Sequence, residues 1–124
     1  MRYTLLLHFP EIADQLTEEA REEGRAAFRS YAATLHQAGV LIAAEVLQPS
    51  AHTTTLIAAG GDIKIQDGPY ADTKEQLGGT VVIEVPDLDA AIGYARQAPS
   101  VTWGPVEIRP GATHVVDGEW VRNR

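Results

Sequence analysis

Hydrophobic and polar positions along the first third of the chain follow two different periods. Residues 2–9 alternate with period two, which predicts a strand with Tyr3, Leu5, Leu7 and Phe9 on one side and Thr4, Leu6 and His8 on the other. Apolar residues then recur at helical spacing between Thr17, a preferred N-cap residue, and Gly39, a preferred C-terminal cap. Residues 40–47 are apolar again and predict a second strand.

A β-hairpin is predicted after the second strand. The β-rich run 53–59 and the short run 63–65 flank Gly60-Gly61, and two glycines between strands are typical of a tight hairpin turn. Residues 80–85 are densely β-branched, which predicts a central strand.

A second helix and a last strand complete the pattern. Asp87 is placed to cap a helix that ends at Pro99, and residues 106–108 form a further strand-like run. The tail beyond them predicts a small hairpin around Asp117-Gly118.

The resulting order is β-α-β, a hairpin, then β-α-β, which predicts an α+β ferredoxin-like domain with an antiparallel sheet. We expect one domain over residues 1–110, with residues 111–124 as a C-terminal extension packed on it. The helices cover one face of the sheet, and the apolar strand 40–47 leaves hydrophobic side chains on the other. This predicts a homodimer whose sheets pack face to face.

Composition narrows the class of protein. A chain of 124 residues with 44% hydrophobic and 22% charged residues suits one globular domain. The absence of cysteine excludes disulfides and thiolate metal sites. The net charge of −7 argues against binding to nucleic acid, which requires a basic surface.

Other signals point to a soluble cytoplasmic protein without a metal or cofactor. No signal peptide and no apolar run of membrane-spanning length, roughly 20 residues, is visible. His36, His52 and His114 lie in different segments without metal-ligand spacing, and no glycine-rich phosphate loop precedes a helix.

The segment from Asp67 to Gly79 is richer than a connecting turn requires. It reads Asp-Gly-Pro-Tyr-Ala-Asp-Thr-Lys-Glu-Gln-Leu-Gly-Gly, with three acids, three glycines and one of the two lysines. With Gly39-Val40-Leu41 and the runs 85–91 and 106–110, it resembles the YCII-related family in its DGPF-domain branch. Tyr70 stands where that branch usually has Phe, and the resemblance covers about residues 1–110.

This resemblance implies a ferredoxin-like domain that dimerises into an α/β barrel. Relatives of that fold include small enzymes that act on aromatic or quinoid compounds without organic cofactors, and DGPF-domain proteins are often encoded beside sigma-factor-like regulators. Relatives nearer the YCII type carry a histidine on the first helix, in a proposed His-Asp dyad. Counting back from Gly39, that position falls at or near Phe28, and this departure counts against carrying the dyad over to this chain.

Five side chains of the loop are candidate site residues. Asp67 stands beside a Gly-Pro turn, where a carboxylate can act as a general base or open an Asx-turn. Lys74 can bind an anionic group of a substrate or pair with Glu75 at the surface. Thr73 can cap a helical turn that begins at Lys74, and Tyr70 can contact a substrate.

His8, Glu45 and Arg109 complete the candidate set. In a central first strand, His8 faces the cleft between subunits and can transfer protons near neutral pH; the alternative is a structural histidine. Glu45 interrupts an apolar strand, so it needs a partner such as Lys74, Arg109 or His8 if buried, and otherwise lies at an exposed edge. Arg109 can hold an anionic group.

The candidate residues and the resemblance suggest two alternative functions. One is a small cofactor-independent enzyme of lyase or isomerase type, acting by acid/base chemistry of Asp67 or His8 on a small polar or aromatic molecule. The other is a non-catalytic ligand-binding or regulatory module in which the loop stabilises the fold and the dimer. The first predicts polar groups that converge in an enclosed pocket, and the second predicts no enclosed pocket or an apolar one without titratable groups.

Overall fold

The computed structural model describes all residues from Met1 to Arg124. Its elements in chain order are β1 (Arg2–Pro10), α1 (Glu18–Gln37), β2 (Leu41–Val46), β3 (Thr54–Ala59), β4 (Asp62–Asp67), β5 (Glu75–Glu84), α2 (Leu88–Ala95), β6 (Val106–Pro110), β7 (Thr113–Val116) and β8 (Glu119–Arg122). Short 3-10 turns lie at Ala13–Gln15, Ser50–His52 and Pro99–Thr102.

Four strands form the main sheet in the order β2-β5-β1-β6, and every neighbouring pair is antiparallel. The structure is therefore α+β, and its sheet order is consistent with the predicted ferredoxin-like arrangement. Strands β3 and β4 form a separate hairpin between β2 and β5, and β7 and β8 form another after β6. Both hairpins turn at the predicted dipeptides, Gly60-Gly61 and Asp117-Gly118, where all four residues have positive φ.

Both helices begin at the predicted caps. The hydroxyl of Thr17 accepts a hydrogen bond from the backbone N–H of Ala20 at 3.1 Å, and the carboxylate of Asp87 accepts one from Ala90 N–H at 2.9 Å. Each bond satisfies a donor that the first helical turn leaves free. Gly39, with φ +74°, turns the chain out of α1 toward β2, as the sequence predicted.

The helices bury one face of the sheet. The predicted alternation in β1 is confirmed, because Tyr3, Leu5 and Leu7 are buried. They pack with side chains from β5, α1, α2 and the segment after α2, namely Val81, Ile83, Val85, Tyr31, Leu35, Ala91, Ala95 and Ala98. Helix α1 packs toward β2 and α2 packs toward β6.

The other face of the sheet is open in the single chain. Two rows of side chains cross all four strands there, and they are Glu45-Thr80-Leu6-Glu107 and Ala43-Val82-Thr4-Arg109. This face is less apolar than the sequence predicted: the central positions of these two rows are aliphatic or hydroxylic, and the charged groups of the two rows lie on the two edge strands. Glu45 is exposed on the edge strand β2 and forms no ion pair, which is the second of the two alternatives considered for it.

The start of β5 corrects the interpretation of the loop. Residues Glu75, Gln76 and Leu77 pair with Pro10, Phe9 and His8 of β1, so the loop between strands comprises only residues 68–74. The expected helical turn from Lys74 is wrong, because pairing with β1 holds these residues extended. The Thr73 hydroxyl instead donates to the carbonyl of Glu75 at 2.7 Å.

The last residues are fastened to the first strand. Asn123 Oδ1 accepts from Arg2 N–H at 2.7 Å, and Asn123 Nδ2 donates to the carbonyls of Arg2 and Gly111 at 2.9 and 2.6 Å. One side chain thereby attaches the β7–β8 hairpin to β1.

Candidate functional site

A large cavity lies between α1 and the helix-covered face of the sheet. Its volume is about 1080 Å³, and 15 of its 22 lining residues are hydrophobic. The sheet contributes Leu7, Val81 and Val46, and α1 contributes small residues that leave space, including Ala20 and Ala27. The space is half open to solvent, so it is a groove between α1 and the sheet and not a void enclosed in the core.

Three aromatic rings form one end of this cavity. Trp103 packs edge-on against Phe9 and against Phe28, each with ring centroids 6.0 Å apart. Phe9 comes from β1, Phe28 from α1, and Trp103 from the turn before β6. The resemblance places the histidine of relatives at or near Phe28, and the Phe28 ring in this wall has no titratable group.

Gly78 makes room for this aromatic end. A Cβ built on Gly78 would lie 2.1 Å from Phe9 Cζ, far inside van der Waals contact, so the ring occupies the space that a side chain there would need. The pairing of β1 with β5 skips Gly78, which is the irregularity expected where a glycine permits close approach.

Charged side chains at the rim of the cavity neutralise one another. Arg25 donates to Glu18 at 2.6 Å and to Glu22 at 3.0 Å, and Arg29 donates to Glu22 at 2.7 Å. Hydrogen bonds from Arg25 and Arg21 lower the pKa of Glu18, and hydrogen bonds from Arg29 and Arg25 lower the pKa of Glu22. The arginines at this rim therefore already have carboxylate partners.

The hydroxyl of Tyr31, which lines the cavity, already has a hydrogen-bond partner within the protein. It donates to the carbonyl of Tyr94 at 2.8 Å, and burial raises its pKa to about 12. The phenol is therefore neutral at physiological pH and serves as part of the cavity wall.

The side chains of His8 and Glu107 lie within ion-pair distance of each other on the opposite, open face of the sheet. His8 Nε2 lies 2.6 Å from Glu107 Oε1, and the histidine is half-buried while the glutamate is exposed. His8 Nδ1 has no protein partner among the hydrogen bonds of the structure. A carboxylate that holds one imidazole nitrogen and leaves the other free is an arrangement suited to proton transfer.

Of the remaining predicted site residues, Glu45 is among those that line the cavity, and the others do not converge on either place. Asp67 ends β4 of the separate hairpin, Lys74 lies in the loop, and both side chains are exposed and form no hydrogen bond or ion pair. Tyr70 is 83% exposed, and Glu75 lies in β5 beside Pro10. Arg109 lies on the open face without an ion-pair partner. Their roles in a site stay predictions.

Sequence reasoning missed Glu107 and the aromatic cavity wall. Glu107 lies 99 residues from His8, and only the pairing of β6 beside β1 brings them together. A signal was present in the alternation, since a central β1 flanked by a strand carrying Glu107 and Arg109 places charge on the open face. Phe9, Phe28 and Trp103 come from distant segments and share no spacing.

Two further observations concern membranes and metals. Neither helix of the structure combines the length and the apolar character that crossing a membrane requires. No group of three or more His, Asp or Glu side chains converges in a way that could hold a metal ion.

Comparison with known proteins gives a family and no activity. The chain is 36% identical over 80 residues to an uncharacterized protein of Rhizobium meliloti (strain 1021), covering 63% of this chain and 64% of the relative. The match thus spans less than two thirds of that relative's length. The sequence profile of the YCII-related domain matches residues 1–112. The chain therefore belongs to the YCII-related family.

Proposed function

We propose that this protein binds an uncharged, largely apolar small molecule in the cavity between α1 and the sheet. The observation that carries the proposal is the cavity itself, about 1080 Å³ with a mostly hydrophobic lining. Binding sites for small molecules commonly have volumes of about 300 to 1,000 Å³ and apolar walls with few polar groups. This function is the ligand-binding module considered from the sequence, but the cavity differs from the pocket expected for it, because titratable side chains such as Arg25, Arg29 and Tyr31 line it.

The paired arginines around the cavity argue against an anionic ligand. Arg25 and Arg29 are engaged by Glu18 and Glu22, so binding an anion would require breaking these pairs. The Tyr31 hydroxyl is also taken, by a backbone carbonyl. What the walls offer is apolar and aromatic surface, whose burial contributes roughly 25 cal/mol per Å².

A pair of alanine variants on α1 tests the proposal. Naphthalene, an uncharged aromatic probe, should quench or shift the fluorescence of Trp103 in a Trp120→Phe background. Ala27 lines the cavity, whereas Ala33 on the same helix is exposed and does not. Ala27→Phe should weaken naphthalene binding about tenfold or more, equivalent to about 1.4 kcal/mol, and Ala33→Phe should leave it unchanged. Equal binding by both variants, or no binding by the parent protein, would refute the proposal.

The His8–Glu107 pair supports a second function, that of a cofactor-independent enzyme of lyase or isomerase type. The 2.6 Å contact leaves His8 Nδ1 free to take a proton from a substrate on the open face. Asp67 and Lys74 would join such a site only if a second subunit brought them to it.

Deuterium exchange tests this second function without a known substrate. Small enolisable ketones and lactones incubated in D2O with the protein would gain deuterium beside the carbonyl if His8 abstracts protons. His8→Gln should abolish the exchange seen by NMR, and His36→Gln, on the exposed side of α1, should not. Exchange that survives in His8→Gln would rule this role out.

A homodimer through the open sheet face remains part of the proposal, as does membership of the DGPF-domain branch. The face presents Leu6 and Val82 on its central strands, with Ala43 and Glu45 on one edge strand and Arg109 on the other. A two-fold axis through such a face can set Glu45 of one copy near Arg109 of its partner. The segment Asp67-Gly68-Pro69-Tyr70 supports the DGPF assignment.

A further inference from the structure

We infer that residues 11–16 form a strap that folds onto the ligand in the cavity between α1 and the sheet. The strap joins the end of β1 to Thr17, the cap of α1, and its only regular structure is the 3-10 turn Ala13–Gln15. The inference rests on the proposed binding function and names the part of the cavity wall that responds to the ligand.

The strap lines the cavity with apolar side chains that stay partly exposed. Ile12, Ala13 and Leu16 all lie in the cavity wall. Ile12 is 43% exposed and Leu16 is 39% exposed, and neither belongs to the buried core. A ligand beside these side chains would remove their remaining apolar surface from water, which is favourable. The strap therefore gains contacts when the cavity is filled.

The backbone of the strap is held to the rest of the fold only at its ends. No residue from 11 to 16 is buried, and the backbone hydrogen bonds of this segment are local, such as the one from Gln15 N–H to the Ile12 carbonyl at 2.9 Å. None of these bonds reaches a helix or strand other than Pro10 at the end of β1. Segments with no buried side chain and with exposed hydrogen bonds open at low free energy, without unfolding of the whole domain.

Two side chains fasten the strap on opposite sides. Toward α1, Nη1 of Arg21 donates to the carbonyls of Ala13 and Leu16 at 2.7 and 2.8 Å. Toward the turn that follows β2, the carboxylate of Glu11 accepts a hydrogen bond from Ser50 N–H at 2.6 Å. Because α1 and β2 both line the cavity, the strap bridges its two walls.

Glu18 orients the arginine that holds the strap. The Glu18 carboxylate accepts a hydrogen bond from Nε of Arg21 at 3.1 Å. The donors of a guanidinium point in fixed directions, so holding Nε also fixes the direction of Nη1. Both residues belong to α1, so the donor stays in place when the strap moves.

The two fastenings order the strap before a ligand arrives. A wall that is already ordered lowers the entropy cost of binding, and the ligand then gains the apolar contacts of Ile12 and Leu16. Loss of a fastening should therefore weaken binding, mainly by faster release of the ligand, because affinity differences at one site lie mostly in the dissociation rate.

Matched isoleucine variants test whether the strap contacts the ligand. Ile12 and Ile42 are 43% and 42% exposed, but Ile42 does not line the cavity. In the Trp120→Phe background, Ile12→Ala should raise the dissociation constant of naphthalene about fourfold or more, which corresponds to one buried methylene group. Ile42→Ala should leave the dissociation constant unchanged.

Matched glutamate variants test the fastening without altering the cavity wall, because neither Glu11 nor Glu19 lines the cavity. Glu11→Ala removes the acceptor for Ser50 N–H and should speed the release of naphthalene, measured by stopped-flow dilution, about threefold or more. Glu11→Gln keeps an acceptor oxygen and should restore slow release. Glu19→Ala removes an equal charge from a carboxylate without a hydrogen bond, and should release naphthalene at the parental rate.

Hydrogen exchange on the unmodified protein gives a readout that does not depend on a variant folding. Amides of residues 12–16 should gain protection when naphthalene saturates the protein. Amides of the β7–β8 hairpin, which does not line the cavity, should not.

The outcomes separate the strap from the binding function. A parent protein that does not bind naphthalene overturns both. If naphthalene binds, three results each overturn the strap and leave the binding function standing: an unchanged dissociation constant in Ile12→Ala, an unchanged release rate in Glu11→Ala, or no gain of protection in residues 12–16.

Discussion

The ring of Phe9 lies where a side chain of Gly78 would project, 2.1 Å from the position of the missing Cβ. We therefore expect Gly78→Ala to displace Phe9 and destabilise the protein by about 1 to 3 kcal/mol, the range typical of overpacked cores. Gly93→Ala is the matched control, because a Cβ at Gly93 meets nothing within 4 Å inside α2. It should stabilise the protein by up to about 1 kcal/mol. Urea unfolding measures whether the free energy of unfolding falls in Gly78→Ala and rises in Gly93→Ala.

Removal of the Thr17 cap should weaken the start of α1. Thr17→Ala loses the hydrogen bond to Ala20 N–H and should lower the free energy of unfolding by about 1 kcal/mol. Ser30→Ala, at an exposed position within the same helix, should change it by less than about 0.5 kcal/mol. A loss of equal size in both variants would contradict a specific capping role.

The bond from Tyr31 to the Tyr94 carbonyl should contribute measurably to stability. Tyr31→Phe removes the hydroxyl that donates to this carbonyl, which keeps its bond from Gln97 N–H at 3.1 Å, and should cost about 1 kcal/mol in the free energy of unfolding. Tyr70→Phe, at an exposed tyrosine without a hydrogen bond, should cost nothing measurable. Thermal unfolding followed by circular dichroism distinguishes the two.

The contribution of Tyr31 to stability should also depend on pH in the alkaline range. Burial raises the pKa of Tyr31 to about 12 from an ordinary value of 10.0, so the folded state holds this proton more tightly than the unfolded state. The resulting stabilisation is complete below pH 10.0 and is lost as the pH rises through about 12. Tyr31→Phe should therefore show a shallower loss of stability over this range, and an unchanged slope would contradict it.

Acidic pH should lower the stability of the protein in part by protonating the carboxylates of Glu18 and Glu22 on α1. Arginine hydrogen bonds lower the pKa of Glu18 and Glu22 below 4.5, so the stability they provide is present above that pH and lost as the pH falls through their folded values. Arg25→Met should reduce stability at pH 7 slightly and flatten its decline in acid. Arg122→Met, which removes an arginine without an ion pair in the structure, should leave the acid limb of a urea-unfolding profile unchanged. If the stability of Arg25→Met and of the parent protein declined in parallel in acid, the pairing of Arg25 with Glu18 and Glu22 would be contradicted.

Local signals predicted much of the fold. The alternation Tyr3, Leu5, Leu7 identified the buried side of β1, and Gly60-Gly61 identified a hairpin, because each depends on neighbours in the chain. The start of β5 did not follow from local signals. Glu75, Gln76 and Leu77 precede two glycines, a composition unfavourable for a strand, and they are extended because β1 supplies their hydrogen-bond partners.

The candidate site was harder to predict for the same reason. His8 could be identified as a candidate from its position on a central strand, but its partner Glu107 depends on which strand lies beside β1. The cavity depends on volume left between elements, which no residue spacing encodes. Phe28 was identified only as a departure from relatives, and its role as a wall became visible with Phe9 and Trp103 around it.

Strand β1 carries a residue of the cavity wall and the histidine of the His8–Glu107 pair at consecutive positions. Phe9 points into the cavity, and His8 points to the open face. A single residue deleted from β1 before His8 would exchange the two faces, sending the imidazole toward the cavity and the phenyl ring toward solvent. Gly78 on one side and Gly104 on the other hold the alignment, since a Cβ at Gly104 would collide with the His8 carbonyl. Length variation should thus be tolerated in the loops flanking this strand and excluded within it.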